Sequence, residues 1–464
     1  MPRRTALAVT FGLLLAGVSS VPASAAIPAA LQQGLAGSPG LAAASAVAAS
    51  SAVPAAARAV LPANDGWAAD GTGTTGGSTA ADDHVFVVRT RAELAAALGD
   101  GTDTAPRIVL VAGTIKANTD DDDAPLTCAD YADPAYSLDA YLAAYDPAVW
   151  GTAAKPSGDL EDARARSAKN QAARVQLKVY SNTTIFGLSN ARIVGGNLLI
   201  SGADNVIVRN LRLEDAADCF PAWDPTDGSA GNWNSNYDLV TLTGASTHVW
   251  GDHNTFSDGN NVDADQPLYF GRPYQVHDGA WDVIRASDLV TLSYNVFQEH
   301  DKTMLIGSTN TVGADVGHLR VTLHHNKLAN VGQRAPRVRF GQVDVYDNYY
   351  YATDEDTYSY SWGAGVYSAI YAENNFFLRS ADIPLDAFVY NWGGTAVTEI
   401  GTLTRIGTGK VAATSLVGEY NATYDPDLGT DAGWAPTLRP GALTPTASVP
   451  SVVDSSAGAG KLCL

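Results

Sequence analysis

VTLSYN (290–295), VTLHHN (321–326) and VDVYDN (343–348) are versions of one phrase, a short β-rich run that ends in asparagine. IYAENN (370–375) continues the series, and VIVRN (206–210) and VWGDHN (249–254) precede it. The intervals between Asn295, Asn326, Asn348 and Asn375 are each close to one coil of a parallel β-helix. In such a solenoid each coil turns sharply at one corner, where asparagine tolerates the left-handed backbone and its amide can reach the asparagine of the next coil. Ordinary strand-end turns of a β-sandwich are the competing reading of the same phrases. The repeat predicts an all-β chain, a right-handed parallel β-helix of roughly seven or eight coils.

Working outward, the intervals from Asn210 to Asn254 and from Asn254 to Asn295 are longer than one coil needs. Long loops are therefore inserted there, carrying FPAWDPTDGSAGNWN (220–234) and DADQPLYFGRPYQVHDG (263–279). Loops on a rigid scaffold are where binding residues concentrate. Upstream, Thr90 and Glu93 have the spacing of a capping box and open a helix over TRAELAAAL (90–98), after the strand HVFVV (84–88). A second helical stretch covers 157–174. An open solenoid end exposes core and strand edges, so an N-terminal helix capping the first coil is expected.

Arg3 and Arg4, an apolar run over 6–18 and the small residues at 23–25 read as a secretory signal peptide, residues 1–25. Residues 26–60, rich in Ala, Gly and Ser, read as a disordered leader or propeptide, and 61–464 as one β-helix catalytic domain. No other stretch is long and apolar enough to span a membrane, so the expected location is extracellular, without a membrane partner. Cys128, Cys219 and Cys463 allow at most one intramolecular bridge, and which pair forms is open.

The formal net charge is −20, and −22 once Arg3 and Arg4 leave with the signal, which argues against nucleic acid. Against that background Lys302, Arg334, Arg337 and Arg339 gather in one short part of the chain, in HDKTMLIGST (300–309) and QRAPRVRFG (333–341). HDGAWD (277–282) supplies Asp278 and Asp282, and Asp238 opens DLVTLTG one coil earlier. Stacked coils lie about 4.8 Å apart, so the three carboxylates can converge on one divalent cation and reverse the local field. Calcium wants six to eight hard oxygens, which carboxylates, water and sugar acids provide. The chain has no EF-hand, no zinc spacing and no nucleophile elbow.

Taken together these segments resemble the pectate lyase family, in particular its secreted bacterial members, from about His84 to the C-terminus. The resemblance implies a calcium-dependent, monomeric enzyme that cleaves polygalacturonate by β-elimination and releases unsaturated oligogalacturonides. It implies calcium on Asp238, Asp278 and Asp282, with Asp227 joining further ions when substrate carboxylates arrive. Arg334, in the pattern Arg-x-Pro-x-x-Arg, matches the Brønsted base that removes the proton on carbon 5. Lys302 matches the catalytic lysine that contacts the substrate acid group, and Arg339 a substrate-binding partner. An arginine base needs a neutral fraction, since its reference pKa lies above ~12; crowding by calcium, Lys302 and Arg339 is expected to favour the neutral form. Arg337 is expected in a surface salt bridge, on the opposite strand face from Arg339 unless the turn at Pro336 redirects it, and His253 in a structural role. Gly251 and Asp344 depart from the family pattern. A pectin lyase acting on methyl-esterified substrate, and a catalytically silent polysaccharide binder, are the alternatives; the aspartates speak against the first, Lys302 and Arg334 against the second.

Overall fold

The structure, a computed structural model, describes residues 53–462 and the pair Arg4–Thr5, which runs parallel to Tyr424–Asp425. The chain winds into a right-handed parallel β-helix with three sheets along its length. Sheet I has eight strands, from Gln176–Val179 to Val389–Trp392. Sheet II has ten, from Val85–Val88 to Val397–Ile400. Sheet III also has ten, from Thr114–Lys116 to the antiparallel edge strand Ala412–Ala413. The eight strands of sheet I count the complete coils and agree with the repeat.

Each coil places like side chains over like. Val206, Val249, Val290, Val321, Val343 and Ile370 stand in register along sheet II, all fully buried. In sheet III, Phe256 stacks on Phe297 at 4.7 Å and Tyr350 on Phe377 at 4.2 Å between ring centroids. Burying one such side chain is worth roughly 1.5–3 kcal/mol, and β-branched and aromatic residues suit the pleated stack.

The asparagine ladder forms at the corner between sheets II and III. The side-chain amide of Asn254 donates to Asn295, Asn295 to Asn326, Asn326 to Asn348 and Asn348 to Asn375, at 3.0–3.2 Å. The left-handed residue is not the ladder asparagine, however, but the one before it: His253, Tyr294, His325, Asp347 and Asn374 all have φ between 51° and 54°. Asn210 departs from the series. It aligns with His253 and itself takes φ 59°, while Leu211 occupies the ladder position and donates its N–H to Asn254. The amide is needed to bond along the stack; the backbone turn is made one residue earlier.

Gly251 and Asp344, the two departures from the family pattern, have local causes. A Cβ on Gly251 would come within 2.6 Å of the Trp281 ring, so glycine makes room for that indole. Asp344 pairs with Arg439 at 2.7 Å, and Arg439 reaches Glu373 at 2.6 Å, fastening the C-terminal segment onto sheet II. That segment returns to the early coils, where Gly460 N–H donates to the Asn210 side chain.

The helix Arg91–Leu98 buries Leu94, Ala97 and Leu98 in the solenoid core and is the expected cap, with Thr90 accepting from Glu93 N–H. Residues 55–58, within the expected leader, are packed: the turn Ala55–Arg58 buries Ala57 completely, and Arg58 donates to the carbonyls of Ser78 and Ala80. Residues 53–60 are therefore ordered although their composition reads as leader, because small apolar residues also fill a tight seam. The remaining leader, and the signal peptide apart from Arg4 and Thr5, lie outside the described residues. Cys128 is bonded to Cys219, and Cys463 lies outside the described residues. The bridge and an aromatic cluster of Trp223, Trp233, Tyr141 and Tyr274 clamp the inserted loops against the helix Asp159–Val175 and its neighbours. No helix among the described residues is long and apolar enough to cross a membrane.

Asn326 donates to Leu292 O and Asn348 and accepts from both nitrogens of Asn295. Asn326→Ala strands several buried polar groups, and denaturant unfolding should show a loss of about 3 kcal/mol.

Candidate active site

Asp238, Asp278, Asp282, Lys302, Arg334 and Arg339 all reach one region, formed by the outer face of sheet I and the turns that lead into it from sheet III. Lys302 ends the strand Val296–Lys302, and Gly279 bridges to it in parallel. Arg334 follows the next strand of sheet III, Lys327–Gln333, with φ 58°. Consecutive coils therefore present their cations side by side. That is a property of the stacking, since a whole coil of chain separates Lys302 from Arg334.

Asp238 is buried; it accepts from Gly279 N–H at 2.8 Å and from the Thr241 hydroxyl at 2.6 Å. Asp282, equally buried, pairs in register with Thr241 and accepts from Leu305 N–H at 2.9 Å. Their carboxylates converge over Gly279: a Cβ there would lie 2.3 Å from Asp282 Oδ1 and 2.8 Å from Asp238 Oδ1. Only glycine leaves that cradle open. Asp278 is about one-third exposed and lies 3.6 Å from Lys302 Nζ and 3.8 Å from an Arg334 guanidinium nitrogen.

Burial, then the repulsion of the neighbouring carboxylates, raises the pKa of Asp238 and of Asp282. Such a site is short of positive charge. Among the described residues no group of three or more His, Cys, Asp or Glu is arranged to hold a metal ion on its own; Asp278 sits between the two cations. Two buried, mutually repelling carboxylates on either side of an open cradle nevertheless fit a hard divalent cation, with remaining oxygens from water or ligand.

Burial opposes the charge on Arg334, but Asp278, Tyr360 and Asp282 outweigh it, and the pKa is raised. The expected shift toward the neutral form is therefore reversed in the chain's own field, because the nearest charges are carboxylates. Arg339 is the opposite case: burial, then Arg337 and Arg334, push it down to about 10. Its guanidinium donates to Asn310 Oδ1 and Gly307 O, both at 2.6 Å, which fixes its direction. Arg337 also corrects the sequence reading. Residues two apart on a strand share a face, so Arg337 and Arg339 both point outward around buried Val338. Instead of a surface salt bridge, Arg337 stacks 4.0 Å over the Trp392 ring.

Asp227 lies outside the buried aspartate pair in sequence position and exposure alike. It sits exposed in the turn of the hairpin Ala222–Asp224/Asn232–Asn234, where its charge acts on Arg337. His253 pairs with Asp252 and stacks on Tyr294, a structural role as expected. Gly279, Thr241, Asn310 and His277 were not singled out in the sequence. His277 is buried beside Asp215 at 3.0 Å and Asp263 at 3.3 Å, which hold it charged against its burial, up to about 10, and anchor the loop just before Asp278. A glycine directly after Asp278 was the available signal for the cradle.

These shifts set a pH dependence. A carboxyl whose folded pKa is raised binds its proton more tightly folded than unfolded, so its contribution is absent below the ordinary carboxylate range and destabilises increasingly as pH rises through the folded value. In chelator, Asp282→Asn should therefore be more stable than the parent protein at pH 8, by about 1 kcal/mol or on the order of 2 °C, and the gap should close near pH 4 in thermal melts.

The profile of the pectate lyase family matches residues 149–422. A pectate lyase of Bacillus subtilis (strain 168) is 48% identical over 411 residues, 87% of this chain and 93% of that protein. Pectate lyase D of Dickeya chrysanthemi is 35% identical, covering 87% of this chain and 91% of that protein. Among solved structures, a thermostable pectate lyase superimposes with a TM-score of 0.85 at 46% identity, over 88% of this chain and 99% of that one. A pectate lyase bound to a hexasaccharide does so with a TM-score of 0.82 at 46% identity, over the same shares.

Proposed function

This chain belongs to the pectate lyase family and is a pectate lyase, and on that premise we propose that it cleaves polygalacturonate by calcium-dependent β-elimination. The observation that carries the calcium reading is the open cradle at Gly279 between the buried carboxylates of Asp238 and Asp282. Asp278 completes the trio, and Asp227, whose charge acts on Arg337, would engage a further ion only with substrate present. Calcium bound there would supply positive charge against the substrate carboxylate as the proton on carbon 5 becomes acidic.

Lys302 and Arg339 bind and neutralise the same sugar acid, where negative charge grows in the transition state. Arg334 takes the proton from carbon 5 while the oxygen on carbon 4 departs, leaving an unsaturated oligogalacturonide. Its neutral fraction grows with pH, so the rate rises into the alkaline range. Methyl-esterified pectin would present no acid group to these cations, which favours the de-esterified substrate. We read the protein as a secreted monomer.

The deciding experiment follows near-ultraviolet absorbance of the unsaturated product from polygalacturonate with calcium and with chelator. Activity that survives excess chelator would refute the calcium dependence. Asp278→Ala should be inactive with an unchanged circular-dichroism spectrum. Arg334→Lys keeps the charge but moves the nitrogen, and should lower kcat at least about a hundredfold with polymer affinity changed far less. Lys302→Ala should raise KM as well as lower kcat, since its contact is present in ground and transition states.

A further inference from the structure

Lys302 and Arg334 reach the candidate site from paired strands of sheet III, with Lys302 in register with Gln333. Asp301, one residue before Lys302, has no part in the proposed chemistry. Its carboxylate accepts from two amides of other segments. Gln333 Nε2 donates to Oδ1 at 3.1 Å and to Oδ2 at 3.3 Å, and Gln275 Nε2 donates to Oδ2 at 2.8 Å. Gln333 is bonded directly to Arg334, and Gln275 comes from the inserted loop that leads into Asp278. The next coil leaves room for this carboxylate. A Cβ on Gly332 would stand 2.5 Å from Asp301 Oδ1, so a larger residue there would push it away from Gln333.

Arg334 needs an anchor of this kind. Its backbone is left-handed, with φ 58°. That conformation costs a residue with a side chain about 1–2 kcal/mol and persists only where the surroundings over-determine it. After Arg334, Ala335 N–H donates to Ser361 O at 2.8 Å. Before it, Gln333 O accepts from Thr303 N–H at 3.0 Å, and the Gln333 side chain is held by Asp301. The turn that aims Arg334 is thus fixed on both sides, and Asp301 supplies the side-chain part of that hold.

We propose that Asp301 is a positioning residue for the elimination, which acts through Gln333 to aim the Arg334 guanidinium at the substrate. Gln275 steadies the carboxylate from the opposite segment. This rests on the reading of Arg334 as the base. The charge of Asp301 works in the other sense: after burial, Asp278, Tyr360 and Asp282, it adds to the field that keeps Arg334 protonated, so losing that charge alone would not slow a base. A loss of turnover on removing the side chain therefore reports position.

The test follows kcat and KM on polygalacturonate at saturating calcium. Asp301→Ala and Gln333→Met should each lower kcat about tenfold with KM within about twofold of the parent, as expected when a reacting group is bound but poorly aimed. Asp301→Asn should stay within about threefold of the parent, because it keeps an oxygen for Gln333. Gln275 Oε1, buried without a partner, can turn to accept from the new amide. Equal losses in Asp301→Ala and Asp301→Asn, or no loss in Asp301→Ala, overturn the proposal. Added to Arg334→Lys, whose nitrogen is already displaced, Asp301→Ala should cost less than about twofold more, whereas a merely structural role gives the full tenfold loss again. Parent-like turnover in Arg334→Lys would overturn the base, and the proposal with it. An impaired Arg334→Lys on which Asp301→Ala is fully additive would overturn the positioning alone. Should Asp301→Ala fail to fold, Gln333→Met carries the same comparison.

Discussion

Everything in this molecule depends on residues of successive coils standing directly above one another. Parallel hydrogen bonding sets the repeat along the axis, and the asparagine ladder locks its phase at one corner by satisfying amides that would otherwise be buried and unpaired. A slip of one residue would turn every inward valine outward and break the ladder together. The register is therefore held by hydrophobic and polar terms that fail at the same displacement.

That constraint builds the site. Asp238 and Asp282 come from adjacent coils, as do Lys302 and Arg334, and only stacking brings them to one patch. Because the outer face of sheet I alternates with the core, a coil can change its outward residues without disturbing the packed interior. The bare glycines Gly279, Gly363 and Gly365 use that freedom, opening a cradle for charge in one place and a bed for arginine side chains in another.

The electrostatics follow from where opposite charges stop. Burial and crowding destabilise the carboxylates of Asp238 and Asp282, and no cation of the described residues reaches them directly, whereas Asp278 is shared by Lys302 and Arg334. The same carboxylates keep Arg334 charged, and the cations beside Arg339 discourage its charge. A strongly acidic protein thus sets a narrow basic strip beside a pocket of buried carboxylates whose charge is unbalanced.

The sequence by itself determined the architecture, since the asparagine phrases and their spacing are local, periodic signals; Lys302, Arg334 and Arg339 stand out as cations in so acidic a chain, and Asp238, Asp278 and Asp282 stand out through motifs that resemble a known family's. It left open the disulfide, which joins Cys128 to Cys219 through loop positions that no repeat specifies. It misassigned the left-handed residue of each corner, for turn and ladder are adjacent positions that the same tolerant residue types can fill. Only the tertiary structure decided that Arg337 lies on Trp392 and that Arg334 is more strongly charged rather than less. Each of these turns on distances between coils and inserted loops, and charge interactions depend on such distances and on burial, neither of which is written in the order of residues.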